Sequence, residues 1–457
     1  MMSVVSRRQF IRSTGSAVAA GALMPWEAVI AQTTSLPPSF EVLHPRNRVP
    51  LSFIIDDSTC LVNMGHYCMP QFAEAWPDRE YYKKPWKTWP REIPDAFVRE
   101  FGEWCAEHGV KGKYSVVPYP ACVGWLDREL PGWSKEELQQ SLKLVRELMV
   151  PNWDIHPEMI THTRLIDIKT GRPMEGANDA TMENSFPQHD ASVDELASYM
   201  AYALKILKNC ELPCEGITTP GGFGNGVNHK LPKAVHQAVR DVYGAELSHF
   251  FKYVVEGKES TAPKLEFIGQ ARDILQLTMN IPAGTGDWFG GWDGDETPQP
   301  HLYANADATS GRMVELIERN EPAIMLCHWP GIYCQGTKQG FRAFREIVTA
   351  LDGRFRERTI WMKLSEIGRY WAAREMAKIA TVDDRALSID APISCPEFTV
   401  RTRSASVHSP TLQSGELAEP LREVNSPERL TRNSFWRSDE QLIACFDLPK
   451  GQSRLMF

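Results

Sequence analysis

Ten cysteines are present, but no Cys-x-x-Cys pair, so neither a zinc ribbon nor a small disulfide framework is indicated. There is no basic excess: 50 Lys and Arg against 58 Asp and Glu leave a formal net charge of −8, which argues against electrostatic binding to nucleic acid or an anionic membrane. No glycine-rich dinucleotide or phosphate fingerprint follows the first apolar run, Phe53-Ile54-Ile55. No internal repeat or low-complexity tract is present, and the apolar stretch near the N-terminus is too short and glycine-rich for a membrane anchor. What remains is ordinary globular composition, 42% hydrophobic and 24% charged, over 457 residues, enough for one large domain and a smaller one.

Tryptophan, by contrast, is plentiful. There are fourteen, and Trp86, Trp89, Trp133, Trp288, Trp292 and Trp329 stand beside Gly or Pro in loop-like segments, where exposed indoles could stack on sugar rings or pack the framework. At the N-terminus, Arg7-Arg8 and Phe10 precede an Ala/Gly-rich segment and a cleavage-like Val29-Ile30-Ala31. This resembles a bacterial twin-arginine signal over residues 1–31. It implies the twin-arginine export machinery as a partner, a periplasmic or secreted location, and a route that carries folded, often cofactor-loaded proteins. One or two disulfides are compatible with that location, and whether Cys210 and Cys214, either side of Pro213, meet is left open.

From about residue 50 to residue 375, apolar runs alternate with amphipathic segments. PLSFIID, KYSVVPY, WDIHPEMITHT, EGITTPG, AELSHFFKY, DILQLTMNIP and PAIMLCHW read as strands. IPDAFVREFGEWCAEHG, SKEELQQSLKLVRELM, SVDELASYMAYALKILKN, LPKAVHQAVRDVYG, SGRMVELIERN, GFRAFREIVTALDG and TIWMKLSEIGRYWAARE carry helical segments, with starts marked by Ser134 with Glu137 and Ser192 with Glu195. Such alternation predicts parallel strands with crossover helices, and at this length a closed or nearly closed (β/α) barrel over 32–378. RLIDIKTGRPM reads as a hairpin around Lys169-Thr170-Gly171. Residues 379–457 show short β-like runs between Pro, Ser and Asn and predict a β-rich appendage.

Catalytic groups of a parallel barrel stand at the C-terminal ends of its strands. There the chain places Asp56-Asp57, His156 and His162, Thr-Thr-Pro-Gly-Gly-Phe-Gly, Gly-Asp-Trp-Phe, and Cys327-His328-Trp329. Convergent Asp and His side chains are what a catalytic divalent metal needs. The ordered set FIIDD, EMITHT, TTPGGFG, GDWF and LCHW resembles the polysaccharide deacetylase (NodB-homology) superfamily of distorted (β/α) barrels with seven or eight strands. The resemblance implies Asp56 as general base, Asp57 and His162 as metal ligands, and His328 as general acid. It implies a bound divalent ion, Zn2+ by expectation, and a carbohydrate substrate, with Trp288, Trp329, Pro220 and Phe223 expected along the cleft.

Two departures from that pattern stand out. Ile166 replaces the family's second histidine, so a different third ligand is needed, and Thr219 replaces the arginine that pairs with the catalytic aspartate. Without that cation, Asp56 is expected to depend on the metal to stay ionised. For the third ligand, His156 leads, with His189 and His66 as the other candidates. His156 and His162 are about 20 Å apart in extended chain at ~3.3 Å per residue, so Pro157 must bend the chain for them to share an ion. The expected activity is exported, metal-dependent removal of acyl groups from a carbohydrate. The alternatives are a carbohydrate-binding protein without turnover, and cleavage of a glycosidic or cyclic amide bond on the same scaffold.

Overall fold

The computed structural model describes residues 40–271, 274–383, 385–403 and 408–457. The signal read at 1–31 lies outside them. Residues Phe40–Phe457 form one compact unit.

The strand Val49–Asp56 is buried along its whole length. Leu51, Phe53 and Ile55 face a core shared with the surrounding helices, while Ile54 faces a second core with Ile324 and Leu326. A parallel strand covered on both faces needs this unbroken apolar run. Val49–Asp56 pairs in parallel with Ala323–His328, with Gly112–Ser115 and, at its start, with Thr359–Trp361; Gly112–Ser115 then pairs with Trp153–His156. Gly112 has to be glycine: a Cβ there would stand 2.0 Å from the Phe53 carbonyl oxygen.

A second sheet holds Gly216–Thr218, Leu247–Phe251 and Ile274–Asn280 in parallel, with Lys264–Ala271 antiparallel at its edge. The expected ring of strands is therefore two α/β sheets rather than one continuous ladder. Prolines explain both seams. Pro157 ends one edge strand and has no N–H to give, so the contact with Gly216–Thr218 reduces to the Thr218 N–H to the Pro157 carbonyl, 3.1 Å, and a bridge between Glu158 and Thr218. At the other seam Pro282 follows Ile274–Asn280, and Gly284 N–H donates to the Ile324 carbonyl at 2.8 Å.

The expected helices are present, including Asp95–Glu107, Lys135–Leu144, Val193–Asn209, Leu231–Tyr243 and Gln339–Phe355. Ser134 and Glu137 make a full capping box, and the Ser192 hydroxyl accepts from Glu195 N–H. The short hairpin Ile166–Asp167 with Arg172–Pro173 also forms. Among the described residues no helix is long and apolar enough to cross a membrane. All ten cysteines are free thiols, Cys210 and Cys214 among them.

Beyond Lys378 the chain builds two five-stranded sheets. One of them takes in Phe40–Val42, which pairs antiparallel with Cys395–Arg403, so this piece of the segment assigned to the barrel completes the C-terminal part. The helix Leu364–Met376 packs Ile367, Tyr370 and Trp371 against Phe398, Val400 and Phe446. Its Tyr370 hydroxyl donates to the Leu43 carbonyl at 2.7 Å and accepts from Thr399 N–H at 3.1 Å, joining three segments at one buried atom. Tyr370→Phe removes both bonds and strands a buried amide, so it should cost about 1–3 kcal/mol. Urea denaturation measures the loss, and an unchanged midpoint contradicts the assignment.

Candidate active site

Asp56, the last residue of its strand, is fully buried and so is its partner Lys113. The Lys113 ammonium donates to Asp56 Oδ1 at 2.5 Å, Ser115 Oγ at 2.7 Å and the Ile55 carbonyl at 3.1 Å, so each of its three protons has an acceptor. The cation expected to be missing is therefore present, on the neighbouring strand instead of before Pro220. Asp56 does not depend on a metal for its counter-charge.

Asp57 adopts a left-handed backbone, φ 58°. That turn lets two adjacent side chains serve one rim, because an extended chain would send them to opposite faces. Asp57 N–H donates to Glu158 Oε2 at 2.8 Å, and Asp57 Oδ1 lies 2.8 Å from His162 Nε2. His162 Nδ1 stands 3.5 Å from Glu158 Oε1. Asp57, Glu158 and His162 are 2, 0 and 5% exposed, and their donor atoms lie within 4.8 Å of one another.

The third member of the cluster is thus Glu158, four residues before His162. His156, the expected ligand, is directed elsewhere: it precedes Pro157 on the regular strand, and its ring meets His249 across the seam. His189 is an exposed partner of Glu195 at 2.8 Å, and His66 bonds the Trp89 carbonyl at 2.9 Å between Tyr67 and Trp86. Neither belongs to the cluster.

A buried carboxylate outside the cluster shapes it. Glu183 accepts from three successive amides, Ile160, Thr161 and His162, at 2.6–3.1 Å, and from the Tyr199 hydroxyl at 2.5 Å. These bonds hold the turn in which His162 takes φ 64°. Burial pushes Glu183 up to about 7, against the pull of its hydrogen bonds.

Burial alone would lower the His162 imidazole, but the Asp57 and Glu158 carboxylates outweigh it and push it up to about 9. Glu158 is raised by burial and by the Asp56 charge. Among the described residues, Glu158 Oε1 and His162 Nδ1 are buried with no hydrogen-bond partner. Two carboxylates and an imidazole, packed this densely and incompletely bonded, suit a divalent cation, which would compete with the proton on His162.

Across the rim, His328 is in register with Asp56 on the adjacent strand. Its Nδ1 lies 2.7 Å from Asp287 Oδ2, the atom that also accepts His328 N–H at 3.0 Å. Trp292 stands beside the ring at 5.8 Å, and its loop is tied to the loop before Trp86 by the Lys84–Asp293 ion pair of 2.7 Å.

The expected cleft residues divide. Trp288 is half-buried against Tyr303. Trp329, 0% exposed, packs on Phe97, Phe101 and Tyr114; Phe223 is as deeply buried against Phe186 and Tyr199, and Pro220 is buried too, so none of the three offers a face to a sugar. The strand ends at His328, and Trp329 opens the short helix Trp329–Tyr333, which packs it into the core.

No protein-family model and no curated protein matches the chain. Among solved structures, it is similar to a CE4-family pseudoenzyme from Bacillus anthracis, at 12% identity over 71% of this chain and 67% of that one, TM-score 0.30. A glycoside hydrolase 29 family member from an unknown rumen bacterium matches at 12% identity over 90% and 72%, TM-score 0.36. A 4-alpha-glucanotransferase from Thermococcus litoralis matches at 13% identity over 70% and 40%, TM-score 0.34. Likeness this slight carries no argument about activity.

Lys113→Met should destabilise the protein by about 3–5 kcal/mol, because it leaves Asp56 buried without its counter-charge. Lys113→Met with Asp56→Asn should recover most of that loss. A double-mutant cycle in urea measures the coupling, and additive losses would mean the pair is not one unit.

Proposed function

We propose that the chain is an exported, metal-dependent hydrolase that removes acyl groups from a carbohydrate. The observation that carries this reading is the cluster of Asp57, Glu158 and His162 between two separately held proton carriers, Asp56 on Lys113 and His328 on Asp287. The motif resemblance to polysaccharide deacetylases supplies the substrate class.

Asp57, Glu158 and His162 would hold the cation. When bound, it supplies Lewis-acid chemistry, making water more acidic and drawing electrons from an acyl carbonyl. Asp56 takes the proton of the attacking water, while Lys113 fixes its Oδ1 and offsets the carboxylate charge in a dry setting. On the opposite side Asp287 accepts the Nδ1 proton of His328 and stabilises its imidazolium form. That leaves Nε2 as the atom that gives a proton to the departing alcohol or amine. Glu183 contributes through the backbone, keeping His162 in its left-handed turn.

The test combines elemental analysis of untagged protein with acyl release from acetylated glycans. Asp57→Asn should lose the cation at this site together with turnover. Asp56→Asn should keep it while turnover falls by roughly a hundredfold or more. If the two variants behave alike, the division of labour is wrong; a metal-bound protein inert on every acylated glycan would favour carbohydrate binding without turnover.

Export is testable separately. Arg7→Lys with Arg8→Lys should leave the precursor in the cytoplasm, as the paired arginines before a weakly apolar segment require. Normal delivery of the double mutant would indicate the general secretory route.

A further inference from the structure

We propose that Asp154, His156 and His249 form a second metal centre, of the two-imidazole, one-carboxylate kind that takes Zn2+ or Co2+, across the seam between the two parallel sheets.

The three residues come from different places. Asp154 and His156 alternate on the edge strand Trp153–His156 of the first sheet and so point the same way; His249 lies on Leu247–Phe251 of the second. His156 Nε2 and His249 Nε2 are 2.8 Å apart, His249 Nε2 is 3.8 Å from Asp154 Oδ2, and the donor atoms of all three lie within 4.8 Å of one another. Two imidazoles aimed head to head through the same ring atom are an uneconomical way to fill a core. One Nε2 must carry its proton and donate it to the other, which accepts as the bare nitrogen of the Nδ1–H tautomer.

The surroundings prepare these side chains as ligands. The Thr218 hydroxyl lies 3.3 Å from His156 Nδ1 and can accept its proton, which leaves Nε2 as a bare donor. Asp154 is oriented by Ser365, whose amide and hydroxyl reach its two oxygens at 2.6 and 2.7 Å. Partners of this kind fix ring and carboxylate direction around bound metals. Gly216 makes the room: a Cβ there would stand 2.2 Å from His156 Nε2 and 2.4 Å from His249 Nε2. Both rings are buried.

Position gives the centre a purpose apart from chemistry at the rim. At this seam Pro157 has no N–H to offer a ladder, and among the described residues the backbone joins the sheets through the Thr218 amide and the Glu158 bridge. A cation shared by His156 and His249 would cross-link them where the backbone does not.

The test isolates this centre by disabling the other. The full chain carrying Asp57→Ala and His162→Ala, stripped with a chelator, is dialysed against Co2+ and read by metal content and visible absorption. One Co2+ per chain with ligand-field bands is expected, and adding His249→Gln should abolish it. No Co2+ bound by the double mutant with an unchanged circular dichroism spectrum would overturn the proposal, leaving a hydrogen-bonded histidine pair; so would retention of Co2+ by the triple mutant. Should His249→Gln fail to fold, the thermal midpoint of the double mutant decides. It should rise with Co2+ concentration as ligand binding to the native state requires, and a flat midpoint refutes the centre. Because the rim cluster is absent from the test chain, the outcome is independent of the hydrolase reading.

Discussion

The buried Lys113–Asp56 pair is the constraint on which the rest of the structure turns. A fully buried ammonium and carboxylate each cost several kcal/mol to desolvate, and the cost is offset only where geometry and extra hydrogen bonds are complete. Completeness here is local: Lys113 spends its other two protons on Ser115 and on the Ile55 carbonyl, both within its own and the adjacent strand. The register that sets Ile54 opposite Lys113 therefore fixes where Asp56 ends up. Asp56 in turn sits in register with His328, so the distance between the two proposed proton carriers is set by sheet geometry rather than by loops.

Loops still have to complete the cluster, and they do it with backbone conformations that cost energy. Asp57, Met159 and His162 all take positive φ without being glycine. Such positions persist only where the surroundings over-determine them. Glu183 does this for His162 by gathering three consecutive amides, and Glu158 does it for Asp57 by accepting its N–H. Each supporting carboxylate thus holds the backbone of another member of the cluster, and Glu158 belongs to the cluster itself. Two acidic residues raised by burial share this small volume: Glu183 accepts from three amides that would otherwise be stranded, while Glu158 accepts from one amide through Oε2 and leaves Oε1 without a hydrogen bond.

Much of this was legible in the sequence, and the parts that were not share a cause. Helices with capping residues, such as those beginning after Ser134 and Ser192, and strands with continuous apolar runs announce themselves locally. The aspartate pair, His162 and His328 stood out as candidates because polar residues after apolar strand runs gather at one rim of a parallel α/β fold, and the structure places them there. Lys113 had one signal, a charged residue in the middle of a four-residue buried strand, and its meaning depends on a partner 57 residues away. Glu183 had none, since its role is defined by amides 21 to 23 residues earlier. Trp329 misled because aromatic side chains beside Pro look loop-like. It instead opens the short helix Trp329–Tyr333 and is buried among Phe97, Phe101 and Tyr114.

The segment from Asp154 to His162 shows how one proline divides a run of similar residues between two sites. Before Pro157 the chain is regular strand, and its period of two carries Asp154 and His156 to the same side, toward His249. After Pro157 the strand has ended and the backbone turns. Glu158 and His162, four residues apart, can then approach within 3.5 Å. A histidine on the strand side cannot follow them, because its direction is set by the ladder with Ser115. A further carboxylate or imidazole for the Asp57–His162 cluster therefore has to come from beyond the proline, and in this chain the first residue beyond it is Glu158.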